Sequence, residues 1–425
     1  PGDGEELARE PDPRDQTYLG GLSLSVDMAV DSLVGQVFRE EAGRVTASLT
    51  RRYGDFELAE DCTQEAFVEA LRRWPDQGIP SRPGAWLQRV AERRALDRLR
   101  REQRFAAKVS GLPFPAADGG DDRLQLMFAC CHPALSREAQ VALTLRVVAG
   151  LTTGQIASAF LVPEATVAQR ITRAKSKIVR AGIPFRMPAP ADLEDRLAEV
   201  LAVLYLMFNE GYLASRWEVA QDRSLAEDAT WLAGLTAQVL PSEAEVLGLL
   251  ALFRLQLARV DGRFASDGSL VLLADQDRSL WDLVAIRDAT ELLDQAAALG
   301  RPGPYQLQAA IASCHALAVS WSATDWTMLV RLYDRLLEVQ PSPVVRLNRA
   351  VALWHVAGAD LALREADALL PELQRYHLLH STRAELLSEL GRDEEAQSAW
   401  SLALSLTLNP AERRHIRARA GALGS

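Results

Sequence analysis

The chain has 425 residues, 48% of them hydrophobic, and a formal net charge of -10. That length allows two or three domains with sizeable cores, and that apolar content excludes a disordered chain. No run of eighteen or more apolar residues occurs, which argues against a membrane-spanning helix. Four cysteines without framework spacing suit a reducing cytoplasm.

The charge is unevenly spread. Residues 26–187 hold 24 Lys and Arg against 19 Asp and Glu, whereas residues 188–425 hold 21 against 32. A basic front half points to nucleic acid, and an acidic back half to a protein or an internal contact. Residues 1–25 are polar, acidic and rich in Pro and Gly, the composition of a flexible tail.

In residues 26–108 the apolar spacing predicts three helices. Val30, Leu33, Val34, Val37 and Phe38 open the first, which Tyr53-Gly54-Asp55 breaks. The second runs from about Phe56 to Trp74, with Leu58, Cys62, Ala66, Phe67 and Ala70 inside and Asp61, Gln64, Glu65 and Glu69 outside. Trp74 to Gly84 reads as turn chemistry. The third, from Ala85 to about Lys108, buries Leu87, Val90, Ala91, Ala95 and Leu99. Between Arg82 and Lys108 lie nine basic residues against three acidic ones, a strong phosphate-binding signal.

Residues 109–123, VSGLPFPAADGGDDR, read as a spanning linker. Cys130, Cys131 and His132 are adjacent rather than at zinc spacing, so the cysteines are expected in a core and His132 beside a helix begun by Pro133. No metal or cofactor site is expected.

Gly150 to Arg180 reads as two helices and a tight turn at Leu161-Val162. The second helix buries Val167, Ile171, Ala174 and Ile178. Its other face carries Gln169, Arg170, Arg173, Lys175 and Lys177, long donors for phosphates and base edges. Such a helix enters a major groove by its N-terminal end, which makes Glu164, Ala165, Thr166, Gln169 and Arg170 the candidate readers.

The back half, residues 188–425, reads as continuous helices: Asp192–Ala214, Leu225–Leu240, Ala244–Val260, Leu280–Leu299, Tyr305–Ser320 and Asp325–Leu337 among them. Leu270 to Leu273 is a candidate extended stretch, and Asp275 to Arg278 a polar turn. Arg349-Ala-Val-Ala before Gly358 matches Arg383-Ala-Glu-Leu before Gly391, at offsets of 34 and 33 residues. That is the tetratricopeptide period, and stacked pairs of this kind form a concave binding surface.

Three stretches carry a family resemblance: AEDCTQEAF (Ala59 to Phe67), PGAWLQRVAERRALDRLR (Pro83 to Arg100) and the helix-turn-helix. Their order and spacing resemble a bacterial sigma factor of the extracytoplasmic-function group, with its domain two at residues 26–108 and domain four at residues 124–187. The resemblance implies that Asp61, Gln64 and Glu65 dock on the clamp helices of core RNA polymerase, and that region 4 meets its flap. It implies capture of the minus-ten strand by Arg82, Trp86, Arg89, Arg93, Arg94 and Arg98. Minus-thirty-five duplex binding would fall to Glu164, Ala165, Thr166, Gln169, Arg170, Arg173, Lys175 and Lys177. Asp118, Asp121 and Asp122 of the linker would resemble nucleic-acid charge. Two positions depart from the family: Arg93 stands where Asn is common, and Leu161 where the turn usually has Gly.

IPFRMP (Ile183 to Pro188), LMFNEGY (Leu206 to Tyr212) and DQDRSLWD (Asp275 to Asp282) resemble a subgroup with a tetratricopeptide-like C-terminal domain. That resemblance implies a regulatory domain over residues 188–425, with a small YCII-like protein or a peptide as possible partner. Asn209, Glu210 and Tyr212 are candidates for the joint between domains, or for capping their own helix. The expected fold is therefore all-α: a domain-two helical bundle, a linker, a domain-four helix-turn-helix and a helical-repeat domain. The expected function is promoter-specific initiation without catalysis. The alternative is a stand-alone helix-turn-helix regulator whose repeat domain senses a ligand or peptide.

Overall fold

The structure is a computed structural model and describes residues 37–38, 40–105, 122–160, 162–214, 225–263, 265, 271–407 and 410–422. Leu161, Asp118, Asp121 and Leu270 lie outside the described residues. The chain forms two compact units that divide between Glu210 and Gly211.

The first unit begins with helix α1 (40–53), α2 (Phe56–Gln77) and α3 (Pro83–Phe105). Their apolar faces converge on Ala59, Cys62, Ala66, Phe67, Ala70, Trp74, Leu87, Ala91 and Ala95. Asp55 caps α2 by accepting the Leu58 amide at 3.0 Å. The helix runs three residues beyond its predicted end and takes in Pro75. Trp74, buried and edge-to-face with Trp86 at 5.4 Å, anchors that last turn. Pro75 forfeits one amide donor close to a helix end, where the loss is tolerated better than mid-helix.

Next come α4 (Arg123–Cys130), α5 (Arg137–Val147), α6 (Thr153–Ala159) and α7 (Glu164–Ala181). Two sequence expectations are corrected here. Arg123 opens α4 rather than ending a linker, and Asp122 is buried with its carboxylate 3.1 Å from Arg51 Nε. A carboxylate so held is a counter-ion inside the fold. Pro133 sits in a turn, and α5 starts at Arg137 after Ser136. Cys130 and Cys131 are buried, and burial pushes the Cys131 thiol up to about 12. Among the described residues no group of His, Cys, Asp and Glu is placed to hold a metal, and no helix is long and apolar enough to cross a membrane. Helix α8 (Leu193–Ala214) then packs on this unit through its residues up to Glu210.

The described residues of the second unit form the helices α9 (Leu225–Val239), α10 (Ala244–Leu257), α11 (Leu283–Ala298), α12 (Pro304–Leu317), α13 (Trp326–Val339), α14 (Pro343–Ala357), α15 (Ala359–Asp367), α16 (Leu370–Leu373), α17 (His377–Glu389), α18 (Asp393–Leu406) and α19 (Pro410–Ala422), joined by turns. Two short 3-10 turns, Val260–Gly262 and Arg278–Leu280, lie between α10 and α11. Residues 271–273 form no strand. Most helices pack on a neighbour in sequence: α10 on α11 and α12, α13 on α14, α14 on α15, α17 on α18. The predicted repeat coincides with the pairs α14/α15 and α17/α18. Gly358 and Gly391, 33 positions apart, close their first helices with φ of 85° and 70°.

At both glycines an added Cβ would meet nothing within 4 Å, so a substitution acts through the backbone alone. Gly358 has ψ of 167°, a region almost closed to other residues. Gly358→Ala should cost about 1–3 kcal/mol and Gly391→Ala about 1 kcal/mol. Urea unfolding of the two variants checks the order; equal costs would show that the Gly358 backbone relaxes.

Candidate nucleic-acid interface

Helix α7 is built as its periodicity dictates. Val167, Ile171, Ala174 and Ile178 are buried, four residues at 3- and 4-residue steps. Ala165, Gln169, Thr172, Arg173, Ser176 and Lys177 form the exposed stripe opposite. Glu164 is exposed at the first turn and accepts the Thr153 hydroxyl of α6 at 2.7 Å, which ties the two helices of the motif together. Thr166 is half-buried. Arg170 is also half-buried and lines a cavity of about 220 Å³ with Val141, Ile156, Phe160, Val167 and Leu206.

Lys175 lies apart from this stripe. Its ammonium pairs with Glu60 of α2 and sits 5.4 Å from the centre of the Phe56 ring. Arg146 Nε of α5 reaches the same Glu60 carboxylate at 3.7 Å. The three side chains are only 13–20% exposed. Phe56 stacks on Phe185 at 5.8 Å and 7°. Close by, Gly43 of α1 lies so near the Val148 carbonyl that a Cβ there would collide with it, and Arg123 donates to the Glu40 carbonyl at 3.2 Å. The two helical blocks of the first unit are therefore docked on each other, with Glu60 holding Lys175 and Arg146 on one side and Asp122 holding Arg51 on the other. Nothing in the helical periodicity singles out Glu60; its polar neighbours Asp61, Gln64 and Glu65 face solvent or its margin.

Helix α3 divides its cations into two stripes. Arg89 and Arg93 are exposed, as is Arg82 just before the helix, and among the described residues Arg82 and Arg93 have no ion-pair partner. Trp86, on the edge of that stripe, is half-buried against Trp74 and packs on the core. Arg94 and Arg98 turn toward α2. Arg98 bonds Asp61 at 2.7 Å and approaches Glu65 at 3.6 Å; Arg94 approaches Glu65 at 3.8 Å and Glu69 at 3.4 Å. The Asp61 hydrogen bond raises the pKa of the Arg98 guanidinium, which is always charged in any case. Residues that the resemblance assigns to two separate partners thus neutralise one another. At 37–56% exposure such pairs contribute at most about 1 kcal/mol each, so a stronger partner can displace them.

Of the joint candidates, Asn209 and Glu210 are half-buried in the last turns of α8. Burial raises the Glu210 carboxyl above its ordinary range, and it lines the same cavity as Arg170. Tyr212 belongs to the second unit, where its carbonyl accepts from Arg263 at 2.7 Å and its ring lies 3.9 Å under the guanidinium. Near the start of α8, Glu199 holds Arg137 of α5 at 2.9 Å, and Arg196 donates to the Phe128 carbonyl of α4.

Comparison with known proteins follows this division. Sigma-70 region 2 matches residues 37–105 and sigma-70 region 4 matches residues 125–178. A family of unknown function, DUF6596, matches residues 196–297. A protein of Rhizobium meliloti (strain 1021) recorded as uncharacterized protein R00370 is 42% identical over 384 residues, 87% of this chain and 91% of its own length. The crystal structure of yeast Tom70 aligns over 96% of this chain and 88% of that one at 12% identity, with a TM-score of 0.37, a likeness too weak to assign a fold. With α1–α3 as region 2 and α4–α7 as region 4, the chain belongs to the sigma-70 family, in its extracytoplasmic-function group, and carries a DUF6596 domain behind region 4.

Proposed function

We propose that this sigma factor binds core RNA polymerase, directs initiation at its own promoters and is regulated by its C-terminal helical domain. The observation that carries the reading is the pair of exposed cationic stripes on separate helices. Gln169, Arg173 and Lys177 on α7 suit the major groove of a minus-thirty-five duplex, and Arg89 and Arg93 on α3, with Arg82 just before it, suit the separated minus-ten strand. A stand-alone regulator needs the first stripe and has no use for the second. The acidic margin of α2, with Asp61, Gln64 and Glu65, supplies a face of the opposite sign for the polymerase clamp.

The docking of region 4 on region 2 belongs to the free protein in this reading. With Lys175 and Arg146 held by Glu60, the far side of α7 is closed to phosphates. Binding two promoter elements at once requires region 4 to leave region 2, because consecutive base pairs are about 3.4 Å apart and the elements are many base pairs apart. Regulation enters through α8, which ties the DUF6596 segment to region 4 by the Glu199–Arg137 and Arg196–Phe128 contacts. A YCII-like protein or a peptide would act on that domain, and co-purification with the full chain is its test.

Three outcomes follow. Gln169→Ala with Arg173→Ala should weaken minus-thirty-five duplex binding by about 1–3 kcal/mol, whereas Arg82→Ala with Arg93→Ala should spare duplex binding and reduce strand opening in a permanganate footprint. The converse pattern would exchange the two assignments. Asp61→Asn with Glu65→Gln, which keep side-chain size, should reduce capture of core polymerase and run-off transcription; full capture would remove α2 from the polymerase interface. Glu60→Gln should lengthen the distance between spin labels at Arg72 and Val179 and tighten duplex binding severalfold. An unchanged distance distribution would show that Glu60 does not hold the two regions together.

A further inference from the structure

Among the described residues, the second unit holds two guanidinium groups that no carboxylate pairs, those of Arg259 and Arg278. Arg259, at the end of α10, is 7% exposed. It donates from Nε to the Leu255 carbonyl at 3.2 Å and from Nη2 to Gln256 Oε1 at 2.7 Å. Arg278, in the DQDRSLWD stretch, donates from Nη1 to the carbonyls of His315 and Ala318 at the end of α12, both at 2.7 Å. Both guanidinium groups lie against one indole, Trp281, at 5.8 Å and 4.4 Å from its centre. Among the described residues no carboxylate pairs with either. Arg263 stands near enough to add its own field, although it is engaged with Tyr212.

The same place collects polar atoms that lack hydrogen bonds among the described residues. Arg278 Nη2, Trp281 Nε1 and His315 Nδ1 are all buried and without a partner, and Gln276 Oε1 and Thr324 Oγ1 lie in the adjoining turns. Trp281 is only 4% exposed. Gly262 passes so close that a Cβ there would stand 2.9 Å from Trp281 Nε1. Burial and the two arginines hold His315 down to about 4, hence neutral near pH 7. A buried charge is retained where it is paired, and buried donors are retained where they are bonded. The helix end and the indole face account for part of the arginine charge. They do not use Arg278 Nη2 or Trp281 Nε1, and water would satisfy the donors without offsetting two like charges.

We propose that Arg278 and Trp281, with Arg259 behind them, form a binding site in the DUF6596 domain for an oxyanion, the phosphate or carboxylate group of a small ligand. The planar guanidinium edge and the indole N–H are donors suited to such a group. No residue of this site lies in region 2 or region 4, so the inference stands apart from the promoter reading.

The test uses the full chain near pH 7.5. Sodium phosphate and sodium acetate are each titrated against sodium chloride at equal ionic strength, and Tm and the heat of binding are recorded. The site predicts a saturable rise in Tm with phosphate or acetate that chloride does not reproduce. Whichever saturates at the lower concentration identifies a phosphoryl or a carboxylate ligand. Arg278→Met should abolish the response. Trp281→Phe keeps a ring against both arginines and removes the N–H, and should weaken the anion about five- to tenfold, the worth of one hydrogen bond. If Arg278→Met does not fold, Trp281→Phe still decides. Equal shifts with all three salts would overturn the proposal, as would an undiminished anion response in Trp281→Phe, which would place the bound anion elsewhere.

Discussion

The carboxylates of α2 are the constraint on which the front half of the molecule depends. Along one helix, Glu60 points to region 4 and Asp61, Glu65 and Glu69 point to α3. The two sets differ in solvent access, and that decides their weight. Glu60 is 13% exposed and meets both Lys175 and Arg146, so loss of either partner leaves charge in a poorly hydrated place. Asp61 and Glu65 are about half exposed, and their pairs with Arg94 and Arg98 are weak and exchangeable. A single helix thus holds one firm contact inside the protein and several loose ones at its surface. The loose ones are suited to being traded for a partner.

What could be read in advance follows from the same distinction. The interior of α7 was legible because burial of one stripe is a property of the helix itself, and Val167, Ile171, Ala174 and Ile178 fall where a 3.6-residue period puts them. The helices of the back half were legible to within a few residues for that reason. The destination of each cation was not. Arg93 and Arg94 are neighbours in sequence, yet one faces solvent and the other faces Glu65 and Glu69, because the direction of a helix face depends on where α2 lies. Lys175 carried the same signal as Arg173 and Lys177, and only the docking of region 4 separates it from them. The places of Asp122 and Pro75 are hidden in the sequence for a related reason. A loop-forming composition says nothing of a buried partner such as Arg51, or of an anchoring indole such as Trp74.

The repeat in the second unit shows how a backbone requirement can survive where side chains vary. Between Pro343–Ala357 with Gly358 and His377–Glu389 with Gly391, few side chains coincide, but each first helix ends in a glycine of positive φ. Such a residue turns the chain back along the helix it has just left, which is what packing α15 on α14 and α18 on α17 demands. The pairs share a core with Leu363, Leu379, Leu386 and Trp400, so each pair is stabilised by the next.

Region 4 is held from two directions, by region 2 through Glu60 and the Asp122–Arg51 pair, and by Glu199 and Arg196 on α8. A promoter complex gains only by the difference between what region 4 makes with DNA and polymerase and what it gives up on release. Contacts of this partly buried kind sum to a few kcal/mol at most, and 1.4 kcal/mol is a factor of ten in an equilibrium. In the proposed release of region 4, one contact worth about 1.4 kcal/mol would alter the released fraction about tenfold. Were the C-terminal domain to regulate as proposed, its signal would need no contact with DNA, because Arg196 and Glu199, which hold region 4, lie within the DUF6596 match itself. Glu60 would then set how tightly region 4 is held, and α8 how readily a signal can loosen it.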